Sequence, residues 1–192
     1  MNKKIEKYEI ILSIAMKKFA RFGIRKTTID EIAQEAHISK GLIYHYFSNK
    51  EDIFYAVLDR EIQIIEKLIY EELKKVQTPQ DKLKVIVETS IKRLTDNFVL
   101  KDLLNNIHQI GVPEVMNRAK DYVKREITLI ENIIIEGIDK GHFKKIDSHK
   151  VAVAYFMFTR NMLFQLKYID DELDFDRMLE LSLSIFLEGI NI

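Results

Sequence analysis

Apolar residues recur along the chain at intervals of three and four rather than two, and only 2 prolines and 6 glycines interrupt them, so the pattern predicts helices from end to end. A first helix from Lys3 to Phe22 puts Ile11, Leu12, Ala15, Phe19 and Phe22 on one stripe and stops at Gly23. A second, Thr28 to Ala36, buries Ile29, Ile32, Ala33 and Ala36, and a third, Lys40 to Phe47, turns Ile43, Tyr46 and Phe47 to one side. A fourth runs from Asn49 to Lys75, long enough to join two domains. Helices over 79–97, 100–110, 113–139, 148–168 and 172–189 complete an all-α chain of about nine helices.

Several helix starts are written in the sequence. Thr28 with Glu31, and Ser48 with Glu51, have the spacing of a capping box, in which the first side chain accepts an amide proton and the acid reaches back. Thr78-Pro79 reads as a cap followed by proline at the first helical position, and Pro113 plays the same part after Gly111.

The third helix has an outward side unlike an ordinary solvated face: Gly41, Tyr44 and His45 lie opposite the apolar stripe. Glycine there costs about 1 kcal/mol of helix propensity, so something other than helix stability selects it. The two short helices, joined by His37-Ile38-Ser39, have the lengths of a helix-turn-helix, in which the second helix enters the DNA major groove. In that reading Gly41 lets the backbone approach closely, Tyr44 and His45 hydrogen-bond phosphates or bases, and Lys40 and Lys50 neutralise phosphates. Thr27 and Thr28 offer hydroxyls and amides to a further phosphate.

Charge supports this division. The net charge of the 192 residues is +0, yet residues 1–50 hold 10 Lys+Arg against 5 Asp+Glu, leaving 20 against 25 in the remainder. A basic first quarter on an acidic body suits a polyanion-binding module attached to something else. The longest apolar run, Val151 to Phe158, is too short to cross a membrane, and the charged start MNKKIEKYE is no signal peptide, so a cytoplasmic protein without membrane association is expected. No cysteine is present, and His142 and His149 stand too far apart to suggest a metal site, so neither cofactor nor metal is expected. A helical-bundle enzyme finds no paired Glu-x-x-His set and no nucleophile with an evident base.

The stretch FARFGIRKTTIDEIAQEAHISKGLIYHYFSNKEDIFYAVL resembles the tetracycline-repressor (TetR) family of bacterial transcription regulators, closely over residues Ile11 to Leu58. The family pattern is F-x-x-x-G-x-x-x-T-S/T-x-x-x-I-A-x-x-A-G-V-S-x-G-x-L/I/F-Y-x-H/Y-F-x-x-K-x-x-L; EGIDKGHFKKID is a weaker echo of the segment before its eighth helix. The resemblance implies a DNA-binding domain over 1–48, with the motif at 28–47, and a ligand-binding and dimerisation domain over 49–192. The expected DNA contacts are Thr27, Thr28, Ser39, Lys40, Gly41, Leu42, Tyr44, His45, Tyr46 and Lys50, with Tyr46 near the core on the helical wheel but a phosphate contact by resemblance. Two positions depart from the family. His37 replaces a turn glycine and is expected to take a left-handed backbone, and Leu42 replaces a small or polar residue.

By the same resemblance the body holds a small-molecule effector, for which Phe98, Asn105, His108, Met116, Tyr122, Phe156, Met157, Arg160 and Phe164 are candidate contacts. Arg160, inside YFMFTRNMLF, needs a partner: an anionic effector, an acid such as Asp171 or Glu172, or open water. In the last helix Phe175, Met178, Leu179, Ser182, Leu183 and Phe186 form an apolar face too broad for one neighbour, and the resemblance implies a homodimer built from helices 148–168 and 172–189. The expected function is a repressor released from a palindromic double-stranded operator by a small molecule. The alternatives are a DNA-binding protein of the same fold governed by a protein partner, and an enzyme.

Overall fold

The computed structural model describes the backbone of residues 3–105, 112–165 and 175–192, and the side chains of 5–94, 96–97, 99–100, 102–103, 117, 120–161 and 177–192. The described residues form nine helices: α1 (Lys3–Lys26), α2 (Ile29–Glu35), α3 (Lys40–Tyr46), α4 (Lys50–Leu73), α5 (Pro79–Thr95), α6 (Phe98–Asn105), α7 (Val112–Asp139), α8 (Ser148–Gln165) and α9 (Phe175–Ile190). Among them the only β pairing is an isolated bridge between Phe143 and Asn191. The helix ends expected over 106–110, 166–168 and 172–174 lie outside the described residues.

Local chemistry accounts for the boundaries. Gly23 breaks α1 with φ 77° and ψ 159°, a conformation open essentially to glycine alone. The break also explains an error in the expected core. Phe22 is 48% exposed, with the Arg21 guanidinium 5.0 Å from its ring centre, because the chain turns after it and brings Ile24 inward instead. At α5 the expected Thr78-Pro79 start holds: Thr78 Oγ1 accepts from the Asp81 amide at 3.1 Å. At α4 the cap lies one residue further than expected. Asn49 Oδ1 accepts from the Asp52 amide at 2.7 Å and Asp52 Oδ2 from the Ser48 amide at 3.2 Å, so Asn49 and Asp52 supply the capping oxygens expected of Ser48 and Glu51.

The chain divides into two compact units, one of residues 1–67 and 92–120, the other of 68–91 and 121–192. In the first, Ile11, Phe19, Ile32, Ile43 and Phe54 form one core with Leu100 and Leu103 of α6, which packs on α1. A buried carboxylate also sits in this unit: Glu61, 5% exposed, takes the Arg93 guanidinium at 2.6 Å and Arg60 at 3.4 Å.

The second unit buries Leu83, Ile86, Ile130, Ile134, Ala152 and Leu183. Tyr155 crosses this core to donate its hydroxyl to the Leu83 carbonyl at 2.7 Å, and burial pushes its phenol far above the usual range. Gly137 has a packing reason: a Cβ there would stand 2.1 Å from the Phe143 ring. Phe143 thereby seats the turn after α7, which receives the end of α9 through a Lys144 N–H to Ile190 carbonyl bond of 2.9 Å.

Candidate DNA interface and buried ion pair

The interface helices are fixed from both ends. Thr28 caps α2, its Oγ1 accepting from the Glu31 amide at 3.2 Å while Glu31 Oε2 accepts from the Thr28 amide at 2.8 Å. These bonds, the backbone one foremost, hold the Glu31 carboxyl below the usual carboxylate range. His37 adopts φ 52°, the left-handed turn expected of it, and Ser39 caps α3 by accepting from the Leu42 amide at 3.2 Å. Fully buried Ile43 and nearly buried Phe47 then anchor α3 in the core.

The opposite side of α3 faces out. Tyr44 is 50% exposed, and Gly41 and His45 are exposed with it. A Cβ added at Gly41 would meet only Ser39 Oγ, at 4.0 Å, so nothing inside the chain requires glycine there. Leu42 is half-buried at the edge of this face. Tyr46 is half-buried too, its ring 5.9 Å from that of Tyr8 and edge-on to His45 at 5.4 Å.

Two expected contacts point elsewhere. Thr27 is 1% exposed, and its hydroxyl donates to the Gly23 carbonyl at 2.9 Å, with Lys18 O at 3.3 Å, so it offers no hydroxyl to a phosphate. The Lys50 ammonium donates to the carbonyls of Thr27 at 2.8 Å and Arg25 at 3.3 Å. Both follow from the break at Gly23, which leaves carbonyls at the end of α1 in need of donors from outside the helix. Lys40 pairs with Asp30 Oδ2 at 2.8 Å, a hydrogen bond that raises its pKa. Of the expected contacts, Thr28, Ser39, Lys40, Gly41, Tyr44 and His45 are exposed, Leu42, Tyr46 and Lys50 are half-buried, and Thr27 is buried.

In the body the structure brings together Tyr122, Phe156 and Arg160. The guanidinium lies 5.4 Å from the Tyr122 ring centre and 5.5 Å from that of Phe156. It donates to the Tyr122 hydroxyl and to the carboxylate of Glu126, which is 5% exposed at its side chain. Burial works against the charge of Arg160, but Glu126 and Tyr122 outweigh it and raise its pKa. The partner expected among Asp171, Glu172, water or an effector is thus Glu126; Asp171 and Glu172 lie outside the described residues. The sequence carries a signal for this pairing: Tyr122 and Glu126 are spaced i, i+4 and share one side of α7. Met157 is 65% exposed, unlike the enclosed Arg160. His108 and the side chains of Phe98, Asn105, Met116 and Phe164 lie outside the described residues.

In α9, Leu179, Leu183 and Leu187 turn inward, Leu183 to 1% exposure, so Leu179 and Leu183 are consumed by the chain's own core rather than free for an interface. Phe186 is half-buried against Tyr155 at 5.0 Å and Phe158 at 6.1 Å. The outward stripe is Met178, Leu181 and Ile185, at 39%, 55% and 62% exposure, with half-buried Ser182 beside it. Leu181 and Ile185 were not expected there. The side chain of Phe175 lies outside the described residues.

A helix-turn-helix carried on a helical body is the architecture of bacterial regulators, and sequence comparison agrees. Residues 11–57 match the model of bacterial regulatory proteins of the tetR family, and residues 58–170 match that of the YsiA-like protein C-terminal region. The chain belongs to the TetR family of transcriptional regulators and is a DNA-binding protein of that class.

Among its relatives is the fatty acid metabolism regulator protein of Bacillus subtilis (strain 168), 27% identical over 146 residues that make up 76% of this chain and 75% of that protein. The regulator RutR of Escherichia coli (strain K12) is 24% identical over 192 residues, covering 96% of this chain and 90% of its own. The fold is shared with FadR from Bacillus subtilis in complex with stearoyl-CoA, at a TM-score of 0.80 and 24% identity over 96% of this chain and 100% of that one. FadR from Bacillus halodurans gives a TM-score of 0.80 and 22% identity over 95% of each chain. No helix among the described residues is long and apolar enough to cross a membrane.

Proposed function

We propose that this regulator is a cytoplasmic repressor, acting by binding rather than catalysis, that holds a palindromic operator as a homodimer and releases it when a long-chain acyl thioester occupies the body. Residues 1–48 would read DNA and 49–192 would bind the effector and dimerise. The observation that carries the DNA reading is the outward face of α3, where a glycine with free space beside it and two hydrogen-bonding aromatic residues serve a partner outside the chain. The effector class is supported by the relative named as a fatty acid metabolism regulator and by the FadR structure in complex with stearoyl-CoA. The dimer reading rests on the outward stripe Met178, Leu181 and Ile185 together with Met157 of α8. Two copies would set two recognition helices about one helical turn apart on the duplex. An effector shifts operator affinity only by its own differential binding to the two arrangements.

The test selects a binding site from a random duplex library with purified protein, then titrates the complex with stearoyl-CoA, free CoA and stearate. Release by stearoyl-CoA at concentrations where free CoA is inert supports the proposal. A sequence-specific complex indifferent to all three would overturn the effector class while leaving the DNA reading intact, and no selected sequence at all would overturn the latter.

A further inference from the structure

Three carboxylates stand on α2, and two have duties inside the fold. Glu31 closes the cap at Thr28, and Glu35 pairs with Lys18 of α1 at 2.8 Å. Asp30 differs: its Oδ2 lies 2.8 Å from the ammonium of Lys40, the first residue of the recognition helix. Both members are open to solvent, at 67% and 49% exposure of their side chains, so the pair is exchangeable rather than a locked element of the fold.

Lys50 makes the instructive contrast. It too is engaged, but its direct hydrogen bonds are to the neutral carbonyls of Thr27 and Arg25, with the Glu31 carboxylate feeling its charge from further off. Lys40 faces a full negative charge. The DNA-binding face thus carries a cation whose field at a phosphate is cancelled by its own neighbour, on a surface where binding of arbitrary sequence depends on uncancelled positive charge.

We propose that Asp30 is an internal counter-anion for Lys40, competing with DNA phosphate for the same ammonium and thereby limiting the protein's affinity for DNA of arbitrary sequence. The inference rests on the reading of the α3 face as a DNA interface. In the free protein Lys40 is neutralised at no cost to the fold. On DNA a phosphate oxygen must displace the Asp30 carboxylate from the Lys40 ammonium, so the new contact gains only the difference between the two pairings. Base contacts from the rest of α3 do not pass through Asp30, so a cognate site keeps that part of its binding while random sequence has only the electrostatic part.

The test uses the full chain and random-sequence duplex DNA, with affinity measured across a salt series for wild type, Asp30→Asn, Asp30→Glu, Lys40→Ala and Asp30→Asn/Lys40→Ala, and far-ultraviolet melts confirming that each is folded. Asp30→Asn is expected to tighten binding several-fold at low salt (roughly three- to tenfold) and to steepen the salt slope by up to about one. Asp30→Glu, which keeps the charge, should stay near wild type, and the double variant should fall back to Lys40→Ala. An unchanged or weaker affinity in Asp30→Asn overturns the proposal, as does a tightening that survives in the double variant. Wild-type protein that retains no duplex at low salt would instead sink the reading of the interface on which it rests.

Discussion

α3 and α9 both bury one side and expose the other, and the exposed sides differ in kind. α3 turns Ile43 inward and Gly41, Tyr44 and His45 outward. α9 turns Leu179, Leu183 and Leu187 inward and Met178, Leu181 and Ile185 outward. The outer face of α3 is rich in hydrogen-bonding groups and lacks one side chain where a surface must come close, which suits a polar partner with a groove. The outer face of α9 carries an apolar stripe of Met178, Leu181 and Ile185 between exposed polar residues such as Glu180 and Ser184, and the stripe suits another apolar surface. Amphipathicity alone does not separate these cases; the chemistry of the side left outside does.

The largest effect should come from spoiling the outer face of α9. Leu181→Glu with Ile185→Glu is expected to convert the protein to monomers by light scattering and to cut operator affinity about 10²- to 10⁴-fold, since the two readers no longer bind as one unit. Folded-state stability of the monomer should hardly change, because both side chains are exposed in the single chain. Leu183→Ala, on the inner side, should do the reverse: about 2–5 kcal/mol of stability lost in denaturant melts, with the interface chemistry untouched. A variant Leu181→Glu/Ile185→Glu that remains dimeric would break the contrast.

Gly41→Ala should separate helix stability from recognition. The open space around its Cβ predicts a gain of about 1 kcal/mol in helix stability, while the added methyl holds the backbone off the DNA and weakens operator binding about tenfold or more. A stabilised variant with unchanged affinity would remove the reason given for this glycine. Tyr44→Phe keeps the ring and drops one hydroxyl, so operator affinity should fall about two- to tenfold with no change in melting.

Much of this contrast was legible in the sequence. The caps at Thr28 and Thr78, the stop at Gly23 and the left-handed turn at His37 are local features, set by a few neighbouring residues, and each stands where expected. The misplaced expectations share a different cause. Helical periodicity shows that α9 is apolar over a wide arc but not which part its own chain consumes, so it does not tell the buried Leu179 and Leu183 from the exposed Leu181 and Ile185. The same holds for Met157, and for Arg160, whose partner Glu126 lies 34 residues away on α7. Thr27 and Lys50 have the residue types of phosphate ligands. Their inward bonds depend on carbonyls freed by the break at Gly23, a tertiary consequence that spacing does not encode.

Lys50 gives the smallest effect and the sharpest distinction. A lysine free to neutralise one phosphate, once removed, should lower the salt slope by about one and weaken all sequences alike. Here the ammonium is already committed to the Thr27 and Arg25 carbonyls, so Lys50→Ala should instead loosen the corner between α1 and α2, at a cost of about 1–2 kcal/mol in stability. DNA binding should weaken only about two- to threefold, with a slope change well below one, because the charge acts from a fixed position behind the contact surface. A full unit of slope with unaltered melting would mean that Lys50 leaves its carbonyls for phosphate when DNA arrives, and the corner at Gly23 would then be a device for storing that cation rather than a joint it holds together.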